Sequence, residues 1–211
     1  MKNIGKLSLV AAAFVLPAAA QATDFVFNHN VFGAPVGYTL YDDFDDATGQ
    51  SLVSGSNFAF PTGDHPGQSL SVPGDLTPYL AVYGGGVASI DFTGVGDVKS
   101  FSFDYSTVDT YNTLTIHYTT GADTVFTGTQ ILNGLPTGIT SGSIIVNGDG
   151  RFITGITLGT TSNAFEVDNL AYSAEIAQGV PEPASWAPML GGFGAIGGAL
   201  RSRRKPRASL V

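Results

Sequence analysis

Cysteine is absent from the 211-residue chain. That excludes disulfides, thiolate nucleophiles and every Cys-ligated metal or iron–sulfur centre. Basic residues are almost missing from its middle: between Lys6 and Arg201 only Lys99 and Arg151 occur. Residues 23–180 set sixteen Asp or Glu against those two, a net charge of −14. So acidic a segment repels phosphate backbones, which argues against nucleic acid as a partner, and attracts divalent cations or basic surfaces. Glutamate is scarce too, with Glu166 and Glu175 alone in 23–180, so a catalytic carboxylate pair would draw mainly on Asp. No stretch of about a dozen residues shows sustained helical apolar spacing. There is no G-x-S-x-G elbow and no HExxH pair for His29, His65 or His117. The glycines of Tyr83-Gly84-Gly85-Gly86-Val87 precede a strand pattern rather than a helix, so they are not a phosphate cradle.

What is present begins with the two ends. Lys2 and Lys6 precede an apolar run from Leu7 to Leu16, and Ala20-Gln21-Ala22 supplies an A-x-A cleavage site. Charged, apolar and small-residue zones in that order predict a secretory signal peptide over 1–22 and an exported chain. At the other end, Pro181-Glu182-Pro183-Ala184-Ser185-Trp186-Ala187 leads into a charge-free, glycine-rich segment ending at Leu200. A basic cluster follows, Arg201, Arg203, Arg204, Lys205 and Arg207. A helix over 186–200 would span roughly 22 Å at 1.5 Å per residue, short of the about 30 Å of a bilayer core. The basic tail would stay on the cytoplasmic side.

This C-terminal order resembles the PEP-CTERM sorting signal, in the variant with Trp and Ala after the triplet. The residues carrying the likeness are Pro181, Glu182, Pro183, Trp186 and Ala187, with Arg201, Arg203, Arg204 and Lys205 as the basic stop. The resemblance implies recognition by an exosortase, an integral-membrane cysteine protease, and cleavage near the motif. It implies an inner-membrane precursor, delivery to the cell surface or extracellular matrix, and a host that makes exopolysaccharide. The expected organisation is a signal peptide over 1–22, a domain over 23–178 and a sorting signal over 179–211 (motif 181–187, hydrophobic helix 186–200, basic tail 201–207). Signal peptidase and exosortase are the expected partners during export.

The body alternates. Phe101, Phe103 and Tyr105 face away from Ser100, Ser102 and Asp104; Leu114, Ile116 and Tyr118 face away from Thr113, Thr115 and His117. Such runs of Val, Ile, Phe, Tyr and Thr suit half-buried strands. Strands are expected at 37–41, 57–60, 79–83, 87–92, 97–105, 111–119, 123–127, 143–146, 151–158 and 164–173. Segment 61–78 reads as a long surface loop, and Asn147-Gly148-Asp149-Gly150 as a hairpin turn. The expected fold class is all-β, an antiparallel β-sandwich of jelly-roll type. Ser102-Phe103-Asp104-Tyr105, Tyr41-Asp42-Asp43-Phe44-Asp45 and Phe165-Glu166-Val167-Asp168-Asn169-Leu170 resemble segments of small surface domains that accompany this sorting signal. That resemblance implies a sandwich, often with a structural calcium, and no assigned enzymatic activity.

Four chemical features remain. Asp42, Asp43, Asp45 and Asp46 crowd carboxylates into five residues, either a solvated acidic loop or a calcium site needing six to eight oxygens. Asp168 and Asn169 are a second candidate pair, which would join the first in one site if the N- and C-terminal strands meet, so the metal candidates are Asp42, Asp43, Asp45 and Asp168. Asp104 and Asp109 form a possible pair for glycoside hydrolysis. Tyr79, Tyr83, Tyr105 and Tyr111 are either packing residues or sugar-stacking platforms. The function expected is an exported, non-catalytic envelope or matrix protein. The alternatives are a carbohydrate-binding module for exopolysaccharide or, further off, a polysaccharide hydrolase or lyase.

Overall fold

Alternating side chains and glycine punctuation set the elements in this computed structural model, which describes residues 25–134, 141–148 and 150–175. In chain order they are β1 (Phe25–His29), β2 (Thr39–Asp42), α1 (Ala47–Gln50), β3 (Val53–Ala59), β4 (Leu80–Asp91), β5 (Ser100–Tyr105), β6 (Asn112–Tyr118), β7 (Thr124–Thr127), α2 (Gly128–Gly134), β8 (Gly142–Asn147), β9 (Ile153–Thr160) and β10 (Phe165–Ser173). The signal peptide 1–22, the motif 181–187, the helix 186–200 and the tail 201–207 lie outside the described residues. Among the described residues no helix is long and apolar enough to cross a membrane.

The expected all-β antiparallel class is what forms. The ten strands make one sheet in the order β1-β8-β5-β10-β4-β9-β6-β7, with β2 beside β10 and β3 beside β4. The sheet curls into a half-barrel, and β4 is its corner. Leu80–Val82 pair with β10, whereas Val87–Asp91 pair with β9. Gly84, Gly85 and Gly86 lie between, Gly85 with a left-handed φ of 78°. One strand thus belongs to two leaves, as strands do at sandwich corners. The two strands expected at 79–83 and 87–92 are therefore a single strand, bent rather than ended by its glycines.

Curling brings the sheet's two ends together. Phe25 on β1 and Phe126 on β7 meet edge to face, ring centroids 4.7 Å apart. Helix α2 packs against β1, β6 and β7 and buries Ile131. Between the leaves sits one apolar core that includes Phe101, Phe103, Leu114, Ile116, Ile144, Val146, Leu158 and Phe165. Burial of this kind contributes roughly 1.5–3 kcal/mol per large side chain.

Two expectations need correction. The turn after Asn147 does not make a hairpin, because β8 pairs with β1 and β5 while β9 pairs with β4 and β6. Turn residues specify a chain reversal, but both edges of β8 are already taken, so the chain crosses to the other leaf. Strand β1 lies outside the expected strands, yet Phe25–His29 pair with Gly142–Val146.

Candidate functional site

The polar face of β5 is buried, not solvated. Ser100, Ser102 and Asp104 are each at most 1% exposed, and Glu166 and Asp168 on β10 at most 2%. Two loops roof this face. Tyr38 Oη and Ser100 Oγ share a hydrogen bond of 2.7 Å, and Gly33 N–H donates to Asp104 Oδ2 at 2.6 Å. From loop 61–78, Leu70 N–H donates to Glu166 Oε1 at 3.0 Å. Tyr79 Oη fastens the same loop through Ser69 Oγ and the Gly63 carbonyl.

Under the roof, strand register places Ser143, Asp104 and Asp168 in one row across β8, β5 and β10. A bulge follows Asp168, with Asn169 left-handed at φ 47°. Asn and Asp tolerate that conformation better than most residues. The bulge turns the Asn169 amide onto Asp104 Oδ2 at 2.9 Å, and Asn169 N–H donates to Asp168 Oδ1 at 2.8 Å. The second oxygens, Asp104 Oδ1 and Asp168 Oδ2, find no donor, nor does the buried Ser102 hydroxyl. The nearest acid is Asp75, whose carboxyl lies within hydrogen-bonding reach of that of Asp168. Burial pushes Asp168 up to about 9, helped by Asp75 and Asp104 alongside. Burial also raises Asp104 to about 6, against the pull of Gly33 N–H and Asn169. Asp75, partly buried, is nevertheless held below the usual carboxylate range by its hydrogen bonds with Thr77 and Asp168.

Neither cation of the described domain reaches these acids. Arg151 stacks 3.4 Å from the Tyr118 ring centroid and donates to the Ala122 carbonyl and Thr124. Lys99 sits over Phe152. Among the described residues no three His, Asp or Glu side chains already converge as metal ligands do.

The acidic run at 42–46 begins at the end of β2, where Asp42 lies opposite Leu170 of β10, and its carboxylates are used in local structure. Asp42 Oδ1 accepts from Phe44 N–H, Asp43 Oδ1 from Asp45 N–H, and Asp46 caps α1 by accepting from Thr48 and Gly49 N–H. The Asp42 carboxyl also rests against Gly49, where no β-carbon fits. Burial raises the Asp42 carboxyl, and the acids around it that add to this are Asp43, Asp46 and Asp45. Those around Asp168 are Asp75 and Asp104. Strand register sets Asp104 opposite Asp168 and Asp42 opposite Leu170, two residues further along β10.

A pocket of about 280 Å³ opens beside Glu166, lined among others by Gln68, Thr107, Asp109, Tyr111 and Asn163. Asp109 Oδ2 accepts from Tyr111 Oη at 2.8 Å, and Glu166 Oε2 from Thr107 Oγ1 at 3.2 Å. Burial raises the Glu166 carboxyl. Asp109 neighbours Glu166 in this pocket. Tyr79 and Tyr105 are 1% exposed, so they are packing residues and not sugar platforms. Tyr83 and Tyr111 are half-buried.

On the outer face of the other leaf runs a relay that spacing could not reveal, because its imidazole and hydroxyls come from three different strands. Asp123 Oδ2 contacts His117 Nδ1, His117 Nε2 contacts Thr157 Oγ1, and Thr157 Oγ1 contacts Ser89 Oγ, each at 2.8 Å. A shallow groove of about 370 Å³ exposes it. The order acid–imidazole–hydroxyl is that of a hydrolytic triad. Thr157 and Ser89, however, sit in β9 and β4, each flanked by partner strands on both edges. The ladders on both sides take up the backbone N–H groups that an oxyanion would need.

Comparison with known proteins bears on the C-terminus. Residues 179–205 match the PEP-CTERM protein-sorting motif. No curated protein matches the chain. The chain therefore carries an exosortase sorting signal: it is exported, held at the membrane as a precursor, and then sent to the surface.

Proposed function

We propose that the processed domain is a non-catalytic component of the cell envelope or extracellular matrix. The observation that carries this reading is the sorting motif at 179–205, which addresses the domain to the surface. The relay supports it, since its hydroxyls lie within doubly paired strands. In this reading, signal peptidase and exosortase cut the chain near Ala22 and near Pro181-Glu182-Pro183. The product then has a strongly acidic surface and is free of the C-terminal apolar segment and basic tail. Replacing Pro181, Glu182 and Pro183 by alanine should leave tail-bearing precursor in the inner membrane. Mass spectrometry of the surface fraction decides: wild-type peptides spanning Gly191 to Arg204 recovered there would defeat the sorting reading. Polysaccharide turnover by the processed protein, abolished by His117→Ala or Asp109→Asn, would defeat the non-catalytic one.

A second reading, a carbohydrate-binding module for exopolysaccharide, is favoured by the pocket beside Glu166. Gln68, Asp109, Tyr111 and Asn163 offer it amide, carboxylate and phenol groups of the kind that bind sugar hydroxyls. Calorimetric titration with the host's exopolysaccharide should show binding that Tyr111→Ala weakens about tenfold. No heat at millimolar sugar would remove this reading and leave the first intact.

A further inference from the structure

We propose that Asp104 and Asp168 bind a divalent cation of the hard, oxygen-seeking kind, calcium foremost, and that this ion pins the roof loops to the sheet. The site goes beyond the envelope role and stands on other observations. Asp104 is 0% and Asp168 1% exposed, and each presents a carboxylate oxygen with no donor. An ionised carboxylate left in that state costs several kcal/mol unless a proton or a cation meets it. No basic side chain can serve, because Arg151 and Lys99 are engaged at Tyr118 and Phe152.

A single proton covers only part of the need. Shared between Asp75 and Asp168, it leaves Asp104 Oδ1 unmet. One divalent ion between the Asp104 and Asp168 carboxylates meets both orphan oxygens at once. The donors on this face are oxygens alone. Besides the two carboxylates they include the Ser102 hydroxyl, also without a partner and two residues along the strand from Asp104. Such a set suits calcium or magnesium and not zinc or copper. Neutral oxygens and water would complete the shell around two charged ligands, so three converging carboxylates are not required.

The Asp42–Asp46 run makes a useful contrast. It is the denser acidic cluster, yet it holds no orphaned buried oxygen among the described residues. Its carboxylates are used in turns and a helix cap. Cation binding therefore belongs under the roof, through residues of β5 and β10 that are far apart in sequence.

The test uses the processed protein stripped with EDTA. Added calcium at about a hundred times its dissociation constant should raise the melting temperature by roughly 5–10 °C. Asp104→Asn and Asp168→Asn should each abolish that rise and weaken binding by calorimetry at least tenfold. Asp43→Asn and Asp45→Asn should leave both unchanged. Terbium luminescence sensitised by tyrosine gives a readout on the wild-type chain should the core variants fail to fold. It should appear on titration and be quenched by excess calcium. Identical melting curves in EDTA, calcium and magnesium, with no terbium signal, would overturn the site and leave a shared proton in its place. Loss of the calcium effect in Asp43→Asn or Asp45→Asn alone would overturn it in favour of the acidic loop.

Discussion

Replacing Gly86 with alanine probes the corner on which the whole curl depends. An added methyl would lie 2.7 Å from the Tyr83 carbonyl oxygen and 2.8 Å from that of Ser56, and closer still to that of Asn57. All three are backbone atoms on β4 or its neighbour β3, so no side chain can rotate away. Overpacking usually costs about 1–3 kcal/mol, and rigid neighbours place this change at the upper end, about 3 kcal/mol. For a domain near 150 residues that is a fall in melting temperature of roughly 6–12 °C. Gly85→Ala separates the two effects present at the bend. Its methyl meets nothing within 4 Å, but its φ is 78°, and a left-handed L-residue costs about 1–2 kcal/mol. Asparagine, which tolerates that conformation, should recover most of the loss at 85 and none at 86. Gly94→Ala, where nothing lies within 4 Å and φ is unexceptional, is the neutral control. Thermal unfolding followed by circular dichroism measures all of them. A Gly86→Ala protein melting within about a degree of wild type would refute the close approach of β3 and β4, and with it the single bent strand.

Three further outcomes follow from named contacts. Asn112, 0% exposed, accepts from Asp109 N–H and donates to Thr160 Oγ1 and the Ala164 carbonyl; Asn112→Ala should cost about 3 kcal/mol in denaturant unfolding, since buried partners are left unmet. Burial pushes Tyr79 and Tyr105 up to about 12. Their unfolded forms ionise near 10, so stability is intact below pH 10 and falls as pH rises toward 12; the phenolate absorbance of these two should then appear together with unfolding rather than before it. Phe126→Ala should cost about 3 kcal/mol and raise hydrogen exchange first in β1 and β7, the edges that the Phe25–Phe126 contact draws together.

Strand existence was legible because period-two alternation is a local property. Leu114, Ile116 and Tyr118 against Thr113, Thr115 and His117 already describe β6. The C-terminal end was legible for a related reason: sorting signals are read by membrane machinery as linear order, so their zones need no fold to be seen, and the match at 179–205 agrees with that order. Strand partners were not legible. Asn147-Gly148 announces a reversal, but whether β9 lies beside β8 depends on β1 and β5 occupying both its edges. Nor was the burial of Ser102 and Asp104, since alternation tells which face is polar and not whether a loop 30 or more residues away will cover it. For the same reason the sequence pointed to Asp42–Asp46, where carboxylates crowd along the chain, whereas desolvation singles out Asp104 and Asp168. Charge density is written in the chain, but exclusion of water from a carboxylate exists only once separate strands and loops have closed around it.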